Sequence, residues 1–246
     1  GLLSGDLPGS LTAAVTGGLD LGLALAGVEI EVISGQEHLT AARPCVFVFN
    51  HQSNLDMPVM VHLVRENATG VAKKEIGEVP ILGQILTAGG AVFVDRADAA
   101  KAIEQLDPVV DKIRDEGLSL VVAPEGTRSA TPRLGRFKKG PFHIAMQAGV
   151  PVVPVVLRNV GEVMWRDAAL ITPGTVEVQV LPPVDTSQWR AETVGEHTEQ
   201  VRRMFVAALT DWPVTEEPAA EEPDAEVSGD AFAAAERQTD EGTSDE

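Results

Sequence analysis

The spacing of apolar and polar residues divides the chain into an apolar opening, a long alternation of strand and helix patterns, and a polar end. Leu11 to Ile30 is apolar and Gly-rich, with Asp20 at its centre. A bilayer-crossing helix needs about 20 unbroken apolar residues. The central Asp, the glycines and the lack of flanking Lys or Arg predict instead one or two short helices, packed on the core or lying at a membrane surface. From Arg43 the pattern alternates. Cys45-Val46-Phe47-Val48-Phe49 predicts a buried strand, and a helix follows over Asp56 to Val64. Gly70-Val71-Ala72 and Ala91 to Val94 read as strands, with a helical segment at Ile81 to Thr87 between them. Ile103, Leu106, Val110 and Ile113 recur at three- and four-residue spacing, which predicts an amphipathic helix over Ala99 to Glu116, terminated by Gly117.

Leu118 to Ala123 reads as a buried strand, and Pro141 to Ala148 as a helix with proline in its first turn. Val150 to Leu157 reads as a strand containing Pro151 and Pro154, which predicts an edge or irregular position. Val176, Val178 and Val180 alternate as a half-buried strand, and Val194 to Leu209 reads as the last helix. Helices alternating with strands predict an α/β fold around a mixed sheet. After Pro213 the composition turns to Glu, Asp, Ala, Pro, Ser and Thr, too poor in apolar residues to offset the entropy of ordering. The expected organisation is an apolar helical segment over 1–31, one domain over 32–213, and a disordered acidic tail over 214–246.

Charge sharpens this division. The formal charge of -18 over 246 residues is concentrated at the end, where twelve Asp and Glu face the single Arg237 between Val214 and Glu246. That leaves -7 for the rest, which gives no support to nucleic-acid binding. Cys45 is the only cysteine. An intrachain disulfide is therefore ruled out, and its place in an apolar strand marks it as a packed small hydrophobe. The first basic residue is Arg43, so the start lacks the basic region of a signal peptide.

Two polar loops at strand ends hold the candidate chemistry. Asn50-His51-Gln52-Ser53-Asn54-Leu55-Asp56 follows the first strand, at the carboxyl end where open α/β sheets place ligands. A carboxylate beside an imidazole fixes its tautomer and leaves the other nitrogen to take a proton. His51 and Asp56 can meet this way if the loop turns into a helix between them, with Ser53 or Asn54 as the N-cap. By itself this spacing is compatible with many chemistries. Pro124-Glu125-Gly126-Thr127-Arg128-Ser129 follows another strand. Gly126 permits a tight turn, and Arg128 offers a fork for phosphate. Arg128, Arg133, Arg136, Lys138 and Lys139 form a basic block without an acidic residue, which suggests an anionic ligand. Arg96 and the pair Lys73-Lys74 also follow short strands. His38, His62, His143 and His197 have no evident partner and read as structural, as do Trp165, Trp189 and Trp212.

Together these stretches resemble the glycerolipid acyltransferases, specifically the 1-acyl-glycerol-3-phosphate acyltransferases. Four blocks occur in that family's order: the His-x4-Asp heptad from Asn50 to Asp56, Gly90 to Arg96, Pro124 to Ser129, and Val150-Pro151-Val152-Val153-Pro154. The resemblance covers roughly Val32 to Pro183. It implies a glycerol-3-phosphate acyltransferase-like fold with a largely parallel sheet. It implies that the 2-hydroxyl of lysophosphatidic acid attacks the thioester of an acyl-CoA or acyl-carrier protein, giving phosphatidic acid without metal, cofactor or covalent acyl-enzyme. His51 is then the general base and Asp56 its orienting partner. Arg96, Glu125, Gly126, Thr127 and Arg128 bind the glycerol phosphate, with Lys73 or Lys138 as further contacts. Val150, Pro151 and Pro154 shape the acyl-donor region or support the sheet beneath it.

The resemblance further implies a peripheral or monotopic protein on the cytoplasmic side of a membrane. Members of the family dock through basic N-terminal helices, whereas this N-terminus has no Lys or Arg before Arg43. Some bacterial relatives carry a phosphatase-like domain of the haloacid dehalogenase type upstream, which fits a start without Met. Two alternatives stay open: acylation of another lysophospholipid or a glycolipid, and a lipid-phosphate or CoA-binding protein without turnover.

Overall fold

A computed structural model describes residues 9–78, 91–94, 107–129 and 133–209. The chain enters through α1 (Gly9–Leu25) and β1 (Val28–Ser34). Then follow α2 (His38–Ala41), β2 (Val46–Phe49), α3 (Asp56–Val64), β3 (Ala68–Lys73), α4 (Lys74–Gly77) and β4 (Val92–Val94). The remaining elements are α5 (Asp107–Glu116), β5 (Ser119–Val122), α6 (Gly140–Ala148), β6 (Val152–Leu157), α7 (Val160–Val163), β7 (Gly174–Val180) and α8 (Val194–Ala208). The strands form one seven-stranded sheet in the order β1-β7-β6-β2-β5-β3-β4.

Strands β6, β2, β5, β3 and β4 run parallel to one another, so all five end at the same edge. Strand β7 is antiparallel to β6, and β1 is parallel to β7. The sheet is thus mixed and largely parallel, as expected.

Strand β2 is central, and all four of its residues are buried. That is the apolar run a parallel strand needs when helices cover both faces. Phe47 and Phe49 pack with Leu23 of α1 and with Val59, Met60 and Val64 of α3. Val46 and Val48 pack on the other side with Ile113 of α5, Phe142 and Ile144 of α6, and Val201 and Phe205 of α8. Cys45 belongs to the first of these clusters, and burial pushes its thiol up to about 12, consistent with a packing role.

Three expectations need correction. The helical reading of Leu11 to Ile30 extends too far: α1 stops at Leu25, and Val28–Ser34 is a strand registered on β7. The alternation of Val28, Ile30 and Val32 with Glu29 and Glu31 is a half-buried strand pattern, and it crosses the boundary drawn at residue 31. Strand β6 is interior, lying between β7 and β2 rather than at an edge. Its Pro154 is tolerated because its carbonyl faces β7, accepting from Leu181 N. The absent N–H of Pro154 therefore falls in the gap between the Val152–Val184 bridge and the ladder that starts at Val155, where Pro182 and Pro183 interrupt the partner. Finally, neither Ser53 nor Asn54 is the N-cap of α3; Leu55 holds that position, with no side-chain cap.

The expected helices at Ile81 to Thr87 and over the first part of Ala99 to Glu116, and the acidic tail, lie outside the described residues. The helix read over Val194 to Leu209 is α8. The positive φ of Gly117 (68°) ends α5 in the left-handed turn that glycine adopts without a Cβ penalty.

Candidate active site

Because β2 and β5 are adjacent and parallel, the loops that leave them meet at the carboxyl edge. Asn50, the first residue after β2, is buried and closes this edge. Its Nδ2 donates to Leu157 O and its Oδ1 accepts from Leu157 N, both at 2.8 Å. The amide side chain imitates one more rung of ladder between β2 and β6. His51 follows, its ring edge-on to Phe49 with centroids 5.9 Å apart.

His51 Nδ1 lies 2.8 Å from Asp56 Oδ2. The same oxygen accepts the backbone amides of Gln52 and Ser53, each at 2.7 Å. A carboxylate only accepts, so this contact assigns the imidazole proton to Nδ1 and leaves the Nε2 lone pair outward. The Asp56 side chain is 1% exposed and that of His51 22%. The carboxylate is thus dry while the imidazole can be reached. Burying an ion costs several kcal/mol. Three hydrogen bonds to a charged acceptor, about 1.5–3 kcal/mol each, together with the helix dipole at the first turn of α3, offset that cost.

Glu125 leaves β5 beside this loop. It is 6% exposed, and its two oxygens are divided between two backbone amides: Oε1 accepts from His51 N at 2.7 Å, Oε2 from Gly135 N at 3.0 Å. Burial raises its carboxyl above the ordinary Glu value, opposed by these two hydrogen bonds. Glu125 therefore fixes the backbone that carries His51. Gly126 has φ +74°, and a Cβ there would come within 3.0 Å of Lys138 Cε. The Lys138 side chain consequently crosses the turn, while its amide binds Pro124 O at 2.8 Å. Ser129 N donates to His51 O at 2.8 Å, a second stitch between the two loops.

Arg128 Nη1 donates to Asn54 Oδ1 at 2.5 Å and to the carbonyl of Arg166. Arg166 Nη1 returns a bond to Arg128 O at 3.3 Å. The segment after α7 is held on the first loop as well, since Ser53 Oγ donates to Met164 O at 2.5 Å.

The structure therefore brings together His51, Asp56, Glu125, Gly126, Arg128 and Lys138, with Thr127 exposed in the same turn. Lys73 is the last residue of β3, at the same edge and one strand beyond β5. Arg96 lies outside the described residues. Val150 and Pro151 precede β6 at the opposite end of the sheet from His51, and Pro154 is level with Val48 in the middle of β2. Of the two roles considered for that block, this placement fits support of the sheet.

Gly135, Asn50 and Arg166 were not among the sequence candidates. A glycine inside a basic loop was the only signal for the first. The other two depend on pairings across more than 35 residues. His62 and His197 do have partners: His62 Nδ1 meets Asp20 Oδ1 at 2.6 Å, and the His197 ring stacks on Trp189 at 4.6 Å. Burial lowers His143 to about 4, in keeping with a core histidine. Among the described residues, no group of acidic, His or Cys side chains is arranged to hold a metal ion. Nor is any described helix long and apolar enough to cross a membrane.

Residues 31–158 match the family model described as Acyltransferase. The chain is 34% identical over 202 residues to the 1-acyl-sn-glycerol-3-phosphate acyltransferase of Limnanthes alba, an alignment covering 82% of this chain and 70% of that one. It is 34% identical over 187 residues to the protein of the same name from Saccharomyces cerevisiae, covering 75% and 61% respectively. In structure it resembles the 1-acyl-sn-glycerophosphate acyltransferase PlsC from Thermotoga maritima, with a TM-score of 0.70 at 24% identity over 84% of this chain and 81% of that one. That last likeness is one of fold.

Proposed function

The chain belongs to the acyltransferase family, and on that premise we propose that it transfers a fatty acyl group from a thioester donor to the 2-hydroxyl of lysophosphatidic acid, giving phosphatidic acid. The observation that carries this reading is the His51–Asp56 contact of 2.8 Å at the carboxyl edge, with Arg128 on the adjoining loop. The names of the relatives supply the acceptor.

In this reaction His51 Nε2 takes the proton of the acceptor hydroxyl as its oxygen attacks the thioester carbonyl. Asp56 stabilises the imidazolium that forms. The tetrahedral intermediate collapses by breaking the C–S bond, and the thiolate leaves with the proton returned from Nε2. The acceptor oxygen is itself the nucleophile, so this reading requires neither a covalent acyl-enzyme nor a resident cofactor. The amides of His51, Gln52 and Ser53 are already committed to Glu125 and Asp56. The developing oxyanion must therefore find its donors elsewhere. Arg128 anchors the phosphate, Lys138 lies across the same turn, and Lys73 and Arg96 are further phosphate contacts by resemblance.

Acyl-CoA and acyl-carrier protein are both chemically suitable donors. We place the protein peripherally at a membrane surface, on the cytoplasmic face by resemblance; contact with the surface is supported by Leu21 and Leu25 of α1, which are 60% and 80% exposed. Such side chains suit a lipid surface better than water.

The test is acyl transfer by the purified protein from palmitoyl-CoA to lysophosphatidic acid, lysophosphatidylcholine and a glycolipid, with His51→Ala run in parallel. Turnover on lysophosphatidic acid, reduced about 10²–10⁴-fold by the substitution, is the expected result. Near-normal turnover in that variant removes His51 as the base, and activity confined to another acceptor removes the substrate assignment.

A further inference from the structure

We propose that Arg166 is a specificity-determining residue: with Arg128 it forms a two-guanidinium cradle that selects a phosphomonoester acceptor over a phosphodiester or an uncharged one. The inference rests on the reading above, in which Arg128 binds the acceptor's phosphate. Arg166 lies between α7 and β7, beyond residues 31–158 that match the family model.

The two arginines hold each other through their main chains. Arg128 Nη1 donates to the Arg166 carbonyl, Arg166 Nη1 donates to the Arg128 carbonyl at 3.3 Å, and Asn54 Nδ2 reaches the Arg166 carbonyl at 3.3 Å. Each guanidinium is therefore seated at the other's main chain, which gathers two positive charges at one junction of these loops, and like charges gathered this way repel. The carboxylates nearby relieve this only weakly. Asp167 approaches Arg166 Nε at 3.3 Å but is 73% exposed, Asp56 commits Oδ2 to three donors of its own loop, and Glu125 is occupied by two amides. Among the described residues, Arg128 Nε and Nη2 and Arg166 Nη2 take no protein acceptor.

What suits such a pair is a compact anion with several oxygens and more than one charge. A phosphomonoester carries about -1.5 to -2 at neutral pH and three terminal oxygens; a phosphodiester carries a single charge, and an alcohol none. Guanidinium forks match phosphate oxygens in pairs. The bond from Ser129 N to His51 O ties the loop that carries Arg128 to the one that carries the proposed base.

The experiment measures KM and kcat of wild type, Arg166→Gln, Arg166→Lys and Arg128→Gln with three acceptors of one chain length: lysophosphatidic acid, lysophosphatidylglycerol and monoacylglycerol. For Arg166→Gln we expect KM for lysophosphatidic acid to rise about tenfold, the size of one charge-assisted hydrogen bond. KM for the other two acceptors, KM for the donor and kcat should stay within about twofold, and Arg166→Lys should recover part of the loss. An unchanged KM for the monoester, or an equal rise for all three acceptors, overturns the proposal. So does a fall in Tm and kcat with the monoester preference intact, which makes Arg166 a loop brace. If Arg128→Gln erases the preference while Arg166→Gln keeps it, the cradle fails and the phosphate reading stands. If neither variant alters it, the phosphate reading fails as well.

Discussion

At the amino end of α3, His51 Nδ1 lies 2.8 Å from Asp56 Oδ2; at the carboxyl end, His62 Nδ1 lies 2.6 Å from Asp20 Oδ1. By distance the two pairs are equivalent. They differ in what holds the carboxylate. Asp56 is 1% exposed and accepts two backbone amides besides the imidazole. Asp20 is 31% exposed and is shared with Arg65, whose Nη1 lies 3.0 Å away. The Arg65 guanidinium also approaches His62 Nδ1 at 3.4 Å. A cation beside an imidazole opposes the charge it must gain as a base. The second pair fastens α1 to α3, and each pair complements the helix dipole at its own end. A short His–carboxylate contact is therefore common to both; what distinguishes the pair proposed as catalytic is a carboxylate fixed by main-chain donors in a dry site with an open imidazole face.

The same substitution at both ends breaks this comparison most directly. Asp56→Asn leaves three N–H donors facing a group that is itself half donor, and it removes the charge that stabilises the imidazolium. Turnover should fall about 10²–10⁴-fold, on the scale of losing an oriented base. In Asp20→Asn turnover should stay within about twofold of wild type. Steady-state rates on lysophosphatidic acid decide between them, and comparable losses from both variants would erase the distinction.

Glu125→Gln probes the main-chain support under His51. A glutamine can accept one of the two amides but turns its own NH2 toward the other. It should lower kcat about tenfold and stability by about 1–3 kcal/mol. The pH dependence has a definite sign. Burial raises Glu125 in the folded protein, so the native state holds this proton to higher pH than the unfolded chain, and its stability falls as pH rises through that window. The variant lacks this slope. The wild-type advantage should thus be largest at acid pH and narrow above the ordinary Glu range, as thermal melts across pH would show. A widening gap would put Glu125 in the opposite electrostatic role.

Gly135→Ala tests the same support more gently. A Cβ there would stand 3.0 Å from Glu125 Oε2, an oxygen held on both sides, so it must shift by tenths of an ångström. Because Oε1 holds His51 N, we expect kcat to fall several-fold with little change in either KM, an effect below that of Glu125→Gln because both hydrogen bonds survive. A rise in acceptor KM with constant kcat would instead locate Gly135 at the binding surface.

How much of this was legible in the sequence follows from the range of each interaction. The heptad from Asn50 to Asp56 was readable because a strand followed by a helix brings residues five apart together without help from the rest of the chain. Its N-cap was misread because the loop closes differently: Asp56, inside the helix, turns back to the amides of Gln52 and Ser53, and Ser53 Oγ accepts from Leu55 N while donating across to Met164 O. The basic loop was readable as charge but not as geometry. That Arg128 crosses to Arg166 and Glu125 to His51 depends on strand order, which only the assembled sheet determines. The interior place of β6 was hidden because a proline at a strand centre argues for an edge unless the partner strand is interrupted opposite it. Strand β1 was hidden because its valines and Ile30 continue the apolar run of α1.

The smallest effect belongs to the outer pair. Hydrogen bonding from His62, with Arg65 adding to it, holds Asp20 below the usual Asp value. A depressed carboxylate contributes stability at pH above its unfolded value, near 3.9, and loses it as pH falls through the folded value. Asp20→Asn should therefore lower Tm near neutral pH by no more than about 2–4 °C, the scale of a surface ion pair in a chain of this size. The difference should fade on acidification and shrink in high salt, since the pair is open to solvent. The Glu125→Gln difference runs the other way with pH, so one set of melts at acid and neutral pH separates the buried support from the exposed fastening. If the Asp20→Asn deficit instead grew on acidification, the outer pair would not be a simple ion pair, and the contrast between the two ends of α3 would have to be redrawn.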